Sequence, residues 1–268
     1  MGLAHWMEIG SMDEWGRMDS PLHRLDARAK AVTTVCFIAV VMSYGRYEVS
    51  ALMSFFLYPL ALISLGGLPT FPLLRKVLVA APFAVVVGMF NPWLDREPVA
   101  AVGPWLVSGG WLSFASILIR FTLTVSAALV LVASTGMYRL GAGLERLGVP
   151  GLFVTQLLFL YRYLFVVADE GSRLVRSVNV RAGGAGALSL RVYGSLVGHL
   201  LLRSMDRAER VYRAMSSRGF EGDVRLLEPG RFRPADAWFI AGWLLFFGVA
   251  RVWNLAGVLG GWLMGVGS

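Results

Sequence analysis

Apolar segments enclose, on both sides, a long basic stretch that runs from Met137 to Gly222, and this arrangement constrains the fold more than any other feature of the sequence. Hydrophobic residues make up 56% of the 268 residues, and charged residues make up only 16%. Soluble domains are nearer to about 45–50% apolar and about 25% charged. The composition therefore predicts an integral membrane protein, for which we expect an all-α fold.

The net charge of +8 is distributed unevenly along the chain. Residues 137–233 contain 15 basic and 8 acidic residues, whereas residues 1–30 contain 4 basic and 5 acidic residues. In a soluble protein such a basic block would suggest nucleic-acid binding, but in a membrane protein it indicates the cytoplasmic side. We therefore predict a cytoplasmic basic block and no nucleic-acid partner.

Six apolar segments are candidates for crossing a bilayer, which takes about 20 helical residues. They are Ala31–Tyr44, Val49–Leu65, Val77–Phe90, Leu112–Ser134, Leu152–Ala168 and Ala235–Val258. If Leu152–Ala168 crossed, the basic residues after it would lie outside, against the charge bias. We therefore expect this segment to begin a long helix that does not cross, which leaves five crossings.

This topology divides the chain into four parts of a multi-pass protein of the plasma or inner membrane. Residues 1–30 form a cytoplasmic segment, and residues 31–134 form a transmembrane region of four helices. Residues 135–233 form cytoplasmic or interfacial helices. Residues 234–268 contain the last transmembrane helix and a carboxyl terminus that is predicted to lie outside.

Three helices are predicted in the insert, over Tyr138–Leu147, Leu152–Arg181 and Leu188–Ser217. The third has an apolar face, which is predicted to contact membrane-embedded partners, and an opposite polar face, which is predicted to meet the cytoplasm. Gly194 and Gly198 form a small-xxx-small pair that would let another helix approach closely. The apolar face comprises Val197, Leu201, Met205, Ala208, Tyr212 and Met215, and the polar face comprises Arg203, Asp206, Arg207, Arg210, Arg213 and Ser217.

An arginine stands at the end of each long helix, within Val180-Arg181-Ala182 and within Ser217-Arg218-Gly219. The helix dipole alone favours an arginine at a carboxyl end. A guanidinium at a helix tip is also suited to an acidic groove on a partner, because it presents a forked set of donors. Two occurrences in one insert favour the docking interpretation.

Several stretches carry a family resemblance that extends over nearly the whole chain. The most specific is GSLVGHLLLRSMDRAERVYRAMSSRGFEG, at Gly194–Gly222. The chain resembles the T components of energy-coupling factor (ECF) transporters, and it is most similar to the cobalt-type Q subunit of the Cbi system. The other matching stretches are DSPLHRLDARAK (Asp19–Lys30), FNPWLDRE (Phe90–Glu97), SGGWLSFASILIRF (Ser108–Phe121) and VPGLFVTQLLFLYRYLFVVADE (Val149–Glu170).

The resemblance implies a non-catalytic subunit that transmits the motion of an ABC-type ATPase dimer to a separate substrate-binding membrane subunit. For a cobalt system that partner would be an M-type subunit, with a small N-type subunit as a further partner, and uptake would serve cobalamin synthesis. Docking to the ATPases would use Val180, Arg181 and Ala182 together with Ser217, Arg218 and Gly219. The apolar faces of the second and third helices, including the apolar face of the third given above, would contact the substrate-binding subunit. Nickel or a vitamin such as biotin remains an alternative substrate.

Cofactor and metal sites are not predicted in this chain. It has no G-x-x-x-x-G-K-[ST] motif, so ATP and Mg²⁺ are expected to bind to the partner ATPases. Its single cysteine, Cys36, forms no disulfide within the chain, and His5, His23 and His199 lack the spacing of metal ligands.

A self-contained secondary transporter is the alternative from another class. It would show repeated halves, broken helices and ionisable residues at the membrane midplane. Arg120 and Arg162 lie in apolar segments but are isolated, so they indicate no transport path. A membrane enzyme would need a catalytic cluster, and none is recognisable.

Overall fold

The computed structural model describes residues 15–16, 18–94, 98–102, 105–181, 189–222, 230 and 232–252. These residues form two compact units. The membrane unit comprises the described residues of 15–136 and 230–268, and the helical insert comprises those of 137–229.

Helices build both units. Those of the membrane unit are α1 (Ala27–Met42), α2 (Val49–Met53), a 3-10 turn (Ser54–Phe56), α3 (Leu57–Gly66), α4 (Thr70–Gly88), α5 (Asn91–Leu94), α6 (Gly109–Thr135) and α10 (Pro234–Val252). Those of the insert are α7 (Met137–Arg146), α8 (Gly151–Arg181) and α9 (Leu190–Ser216). The predicted all-α fold class is confirmed.

Among the described residues, five helical stretches are long and apolar enough to cross a membrane: Val49–Gly66, Thr70–Trp93, Gly109–Thr135, Gly151–Arg181 and Pro234–Val252. Five crossings were also predicted, but one of the five helices differs. The first predicted span corresponds to α1, whose 16 residues extend only about 24 Å. Helix α8 qualifies by length and composition, so the expectation that it does not cross rests on the charge distribution and stays a prediction.

A short β-hairpin precedes α6 and was not predicted. Strand β1 (Pro98–Val102) pairs antiparallel with β2 (Trp105–Ser108), and Val102 lies opposite Trp105. The signal was in the sequence, since two apolar runs flank a Gly-Pro dipeptide, which is typical of a hairpin.

Aromatic rings from three parts of the chain form the centre of the membrane unit. Phe37 of α1 stacks on Tyr58 of α3 with ring centroids 4.5 Å apart, and Phe247 of α10 lies 5.6 Å from Phe37. Phe55 of the 3-10 turn lies 6.0 Å from Phe37, and all four side chains are buried. Offset and edge-to-face aromatic pairs add to packing, so this cluster holds α1, α3 and α10 together.

Two arginines bind backbone carbonyl groups in the turn that follows α1, at residues 43–45. Arg120 of α6 donates to the Tyr44 carbonyl at 3.1 Å and to the Gly45 carbonyl at 2.6 Å. Arg251 of α10 donates to the Ser43 carbonyl at 3.4 Å and lies 4.4 Å from the Tyr44 ring. Arg120 therefore has a structural role, which explains why a charged residue lies in this apolar segment.

The amino ends of α1 and α10 are joined by the buried carboxylate of Asp236. Its oxygens accept the backbone N–H groups of Asp26 at 2.8 Å and of Arg233 at 2.6 Å. The bond to Arg233 is one half of a capping box, and Pro234 occupies the first helical position, where its missing N–H costs nothing. Asp26 in turn caps α1 by accepting from the Arg28 N–H at 2.8 Å.

Replacement of Asp236 by alanine is expected to destabilise the membrane unit by about 2–4 kcal/mol, because two N–H groups lose their acceptor and each such loss costs about 1–3 kcal/mol. Asp236→Asn, which keeps one carbonyl acceptor, should cost less than Asp236→Ala. Thermal unfolding in detergent measures the difference. Equal midpoints for Asp236→Ala and the wild-type chain would contradict the role of this carboxylate.

Candidate functional site

The carboxyl end of α9 presents Arg218 on a rigid turn. The Phe220 N–H donates to the Met215 carbonyl and the Gly219 N–H donates to the Ser216 carbonyl, both at 3.1 Å. These two bonds form a Schellman motif, and Gly219 has the positive φ of 78° that the motif requires. Arg218 is exposed at this turn.

Packing on α8 holds the same turn in place. The Phe220 ring lies 6.2 Å from the Phe159 ring of α8. The Ser217 hydroxyl donates to the Arg213 carbonyl at 3.0 Å. The guanidinium of Arg218 is therefore offered to a partner from a backbone that is fixed by hydrogen bonds and by an aromatic contact.

The second predicted motif lies at the end of α8. Helix α8 ends at Arg181, which is exposed, and the preceding Val180 side chain is 75% exposed. Ala182 lies outside the described residues. An apolar side chain with this exposure is a candidate contact for a partner, as is the arginine beside it.

An ion-pair cluster holds α8 against α9. The Glu170 carboxylate of α8 accepts from Arg207 of α9 at 2.6 Å and lies 3.7 Å from Arg203. These side chains line a cleft of about 550 Å³ together with Asp169 and Arg173. Arg207 of the predicted polar face also contacts α8, because its guanidinium pairs with an acidic residue 37 positions earlier in the chain, and 41% of its side chain stays exposed.

Removal of the Glu170 carboxylate tests this cluster. Glu170→Ala is expected to destabilise the insert by about 1–2 kcal/mol, since the half-buried Arg207 loses its partner and the exposed Arg203 loses a nearby carboxylate. Asp169→Ala is the matched control: it breaks an exposed ion pair with Arg173, and such pairs contribute at most about 1 kcal/mol. The rate of limited proteolysis within the insert gives the measurement, and equal rates for the two variants would contradict the bridging role of Glu170.

The predicted apolar face of α9 is open. Val197, Leu201, Met205 and Tyr212 are between 58% and 67% exposed, and Ala208 is exposed as well. Met215 differs, because it is half-buried and lines an apolar groove of about 560 Å³ between α8 and α9. Further residues that line this groove are Phe159, Leu160, Tyr163, Val211 and Phe220. The groove and the open face place a large apolar surface beside the Schellman turn.

Gly194 and Gly198 are exposed, and a Cβ atom at either would meet no described atom within 4 Å. Their predicted role in helix packing therefore stays a prediction about a partner. The close contact between α8 and α9 lies instead at Gly171, where a Cβ would be 3.3 Å from Leu200. Gly141 of α7 similarly packs on α8, 3.1 Å from Leu158.

The described residues contain no group of three or more His, Cys, Asp and Glu side chains that could hold a metal ion. His23 is buried and bonded to the Ser20 hydroxyl at 2.7 Å and to the Trp15 carbonyl at 2.8 Å, and His199 is exposed on α9. His5 lies outside the described residues. The arrangement is suited to binding other proteins through helix tips and an apolar face.

Similarity to known proteins extends over most of the chain. The family model described as cobalt transport protein (CbiQ) matches residues 18–227. The cobalt transport protein CbiQ of Rhodobacter capsulatus is 29% identical over 158 residues, which cover 59% of this chain and 63% of that protein. The nickel permease LarQ of Lactiplantibacillus plantarum is 29% identical over 166 residues, which cover 55% of this chain and 60% of that protein.

A longer alignment is found with a protein whose description names the transporter type and no substrate. The energy-coupling factor transporter transmembrane protein EcfT of Listeria innocua is 26% identical over 224 residues, which cover 76% of this chain and 82% of that protein. The chain thus spans less than two thirds of the CbiQ and LarQ relatives and most of the EcfT relative.

Proposed function

Because this chain belongs to the cobalt transport protein family CbiQ, we propose that it is the coupling subunit of an ATP-driven importer of the ECF type. The chain is a multi-pass membrane component of an ECF-type transporter for cobalt or a related substrate. As the coupling subunit it would transmit the motion of ATPase subunits to a separate substrate-binding membrane subunit.

The observation that supports this role most is the presentation of Arg218 on the Schellman turn of α9. A guanidinium on a fixed backbone loses little entropy when it binds a carboxylate, and it offers a bidentate geometry. Arg181 is exposed at the end of the other long helix. In this proposal each arginine occupies an acidic groove on one of two ATPase subunits.

The apolar surface of the insert supplies the second contact of the proposal. The open residues of α9 and the groove that they adjoin are too large and too contiguous for the free surface of a soluble domain. They would bind the substrate-binding subunit. Closure of the ATPase pair would then displace the ends of α8 and α9, and these rigid helices would tilt the bound subunit.

Cobalt is the favoured substrate, because the family and the R. capsulatus relative are both described as cobalt transport proteins. The similarity to a nickel permease keeps nickel as the alternative. The specific partners would be an M-type subunit and a small N-type subunit, and ATP with Mg²⁺ would bind to the ATPases. The amino terminus is proposed to be cytoplasmic and the carboxyl terminus to lie outside.

Affinity purification of the chain from its native membranes in mild detergent tests the proposal. We expect an ABC-type ATPase and a second small membrane protein to co-purify, and Co²⁺ to bind to the latter. Recovery of the chain alone, stable and monodisperse, would favour a self-contained transporter and would leave both arginines as ordinary helix ends.

A further inference from the structure

A side chain in the first turn of α1 binds the segment through which the chain leaves the membrane unit. The Lys30 side chain is only 3% exposed, and its Nζ donates to the Ser134 carbonyl at 2.9 Å. Ser134 lies in the last turn of α6, and the insert begins two positions after Thr135, at Met137. Lys30 thus binds the last segment of the membrane unit before the chain enters the insert.

The residue that links α6 to the insert is a glycine with a positive φ. Gly136 has φ 74° and ψ 150°, a region that is essentially closed to residues with a side chain. Its N–H still donates to the Val132 carbonyl at 2.9 Å, so the helix is hydrogen-bonded up to this glycine. A residue with a side chain is therefore disfavoured at this position, and the Lys30 contact holds the backbone two residues before it.

The start of α1 also contacts the residue at which the chain returns from the insert to the membrane unit, Gly230. A Cβ atom at Gly230 would lie 3.4 Å from the Asp26 carboxylate, so the returning backbone passes directly over this side chain. Asp26 donates its N–H to Asp236 of α10 at 2.8 Å and forms an ion pair with Arg28 at 3.2 Å. The Arg28 guanidinium stacks on the ring of Phe232 at 5.4 Å.

Asp26 and Lys30 are four positions apart, which is about 6 Å along a helix. Both covalent connections of the insert are therefore attached to α1 within about one turn. The attachments use a buried ammonium group and two buried carboxylates, and groups of this kind resist displacement because a broken contact leaves a buried charge unpaired. Movement at either connection therefore reaches α1 as well as the helix that carries the connection, α6 on the exit side and α10 on the return side.

We propose that residues 26–30 are the anchor through which movement of the helical insert is transmitted to the membrane unit, with Lys30 and Asp26 as positioning residues. This inference rests on the proposed coupling function. It assigns the start of α1 a role in the coupling of ATP hydrolysis to transport, in addition to its role in folding.

Lys30→Met tests the anchor, because methionine fills a similar volume without the donor. The purified complex in proteoliposomes is expected to keep its ATPase rate within about twofold, while the amount of Co²⁺ imported per ATP hydrolysed falls at least about tenfold. Thr33→Val is the matched control: Thr33 is fully buried on the same helix, and its hydroxyl bonds to carbonyls of its own helix and to the Tyr58 hydroxyl of α3, away from both connections of the insert. An unchanged ratio in Lys30→Met, or an equal fall in Thr33→Val, would overturn the proposal.

Spin labels separate this inference from the proposed function, since they require no ATPase. In a Cys36→Ser background, labels at Ala128→Cys of α6 and Glu145→Cys of α7 report the distance across the exit point, and both positions are exposed. Lys30→Met is expected to broaden the distance distribution, and Thr33→Val is expected to leave it unchanged. Identical distributions would overturn the anchor, whereas failure of the wild-type chain to recruit an ATPase would overturn only the coupling function.

Discussion

Charge reversal at Arg218 (Arg218→Glu) is expected to release the ATPase from the complex while the chain stays folded. The side chain is exposed and ends a helix whose closing hydrogen bonds involve only the backbone, so the substitution removes no internal contact of the turn. Loss of one partner of a charge pair at an interface costs about 2–5 kcal/mol, which lowers affinity by at least roughly thirtyfold. The glutamate adds repulsion from an acidic groove.

Co-purification of the ATPase with the variant chain measures this effect, and Arg210→Glu is the matched control. Arg210 is also exposed on α9, two turns before the helix end, and carries the same charge change. We expect Arg210→Glu to retain most of the ATPase. Retention of the ATPase by Arg218→Glu, or equal loss from both variants, would contradict docking at the Schellman turn.

Introduction of a charge on the apolar face of α9 (Met205→Asp) is expected to release the substrate-binding subunit and to retain the ATPase. Met205 is 61% exposed, so the aspartate is solvated in the free chain and destabilises it little. In the complex the same carboxylate would be buried without a partner, which is costly. We expect the affinity for that subunit to fall at least about tenfold, or about 1.4 kcal/mol.

Ala214→Asp is the matched control for Met205→Asp, because Ala214 is also exposed on α9. Ala214 lies nine positions after Met205, which places it on the opposite face of the helix at about 100° per residue. The recovered amount of substrate-binding subunit is the measurement, with Met205→Leu as a variant that keeps the apolar surface. Joint loss of the ATPase and this subunit from Met205→Asp would indicate a folding defect and would contradict a specific contact face.

The helices of the insert could be predicted closely, because each has a strong local signal. Helix α8 was predicted over Leu152–Arg181 and is found over Gly151–Arg181, and α9 was predicted over Leu188–Ser217 and is found over Leu190–Ser216. Proline, glycine clusters and helical periodicity mark these boundaries. The family, too, is recognisable from motifs that are short and contiguous in the sequence.

Contacts between distant residues could not be predicted. The pairing of Glu170 with Arg207 and the bond from Lys30 to Ser134 join residues 37 and 104 positions apart. No local pattern distinguishes an arginine that faces another helix from one that faces solvent, because both fit the same polar face. The close contact of Gly171 with Leu200 between α8 and α9 is of the same kind, since no local pattern marks that glycine.

ATP-driven Co²⁺ uptake into proteoliposomes tests the central claim most directly. The ATPase and the substrate-binding membrane protein that co-purify with this chain would be reconstituted with it and without it, and uptake of radioactive Co²⁺ would be followed with ATP on the ATPase side. We predict uptake only when the chain, both partners and ATP are all present, and its loss with Arg218→Glu. Uptake by the two partners without this chain, or by this chain alone without ATP, would contradict the coupling function.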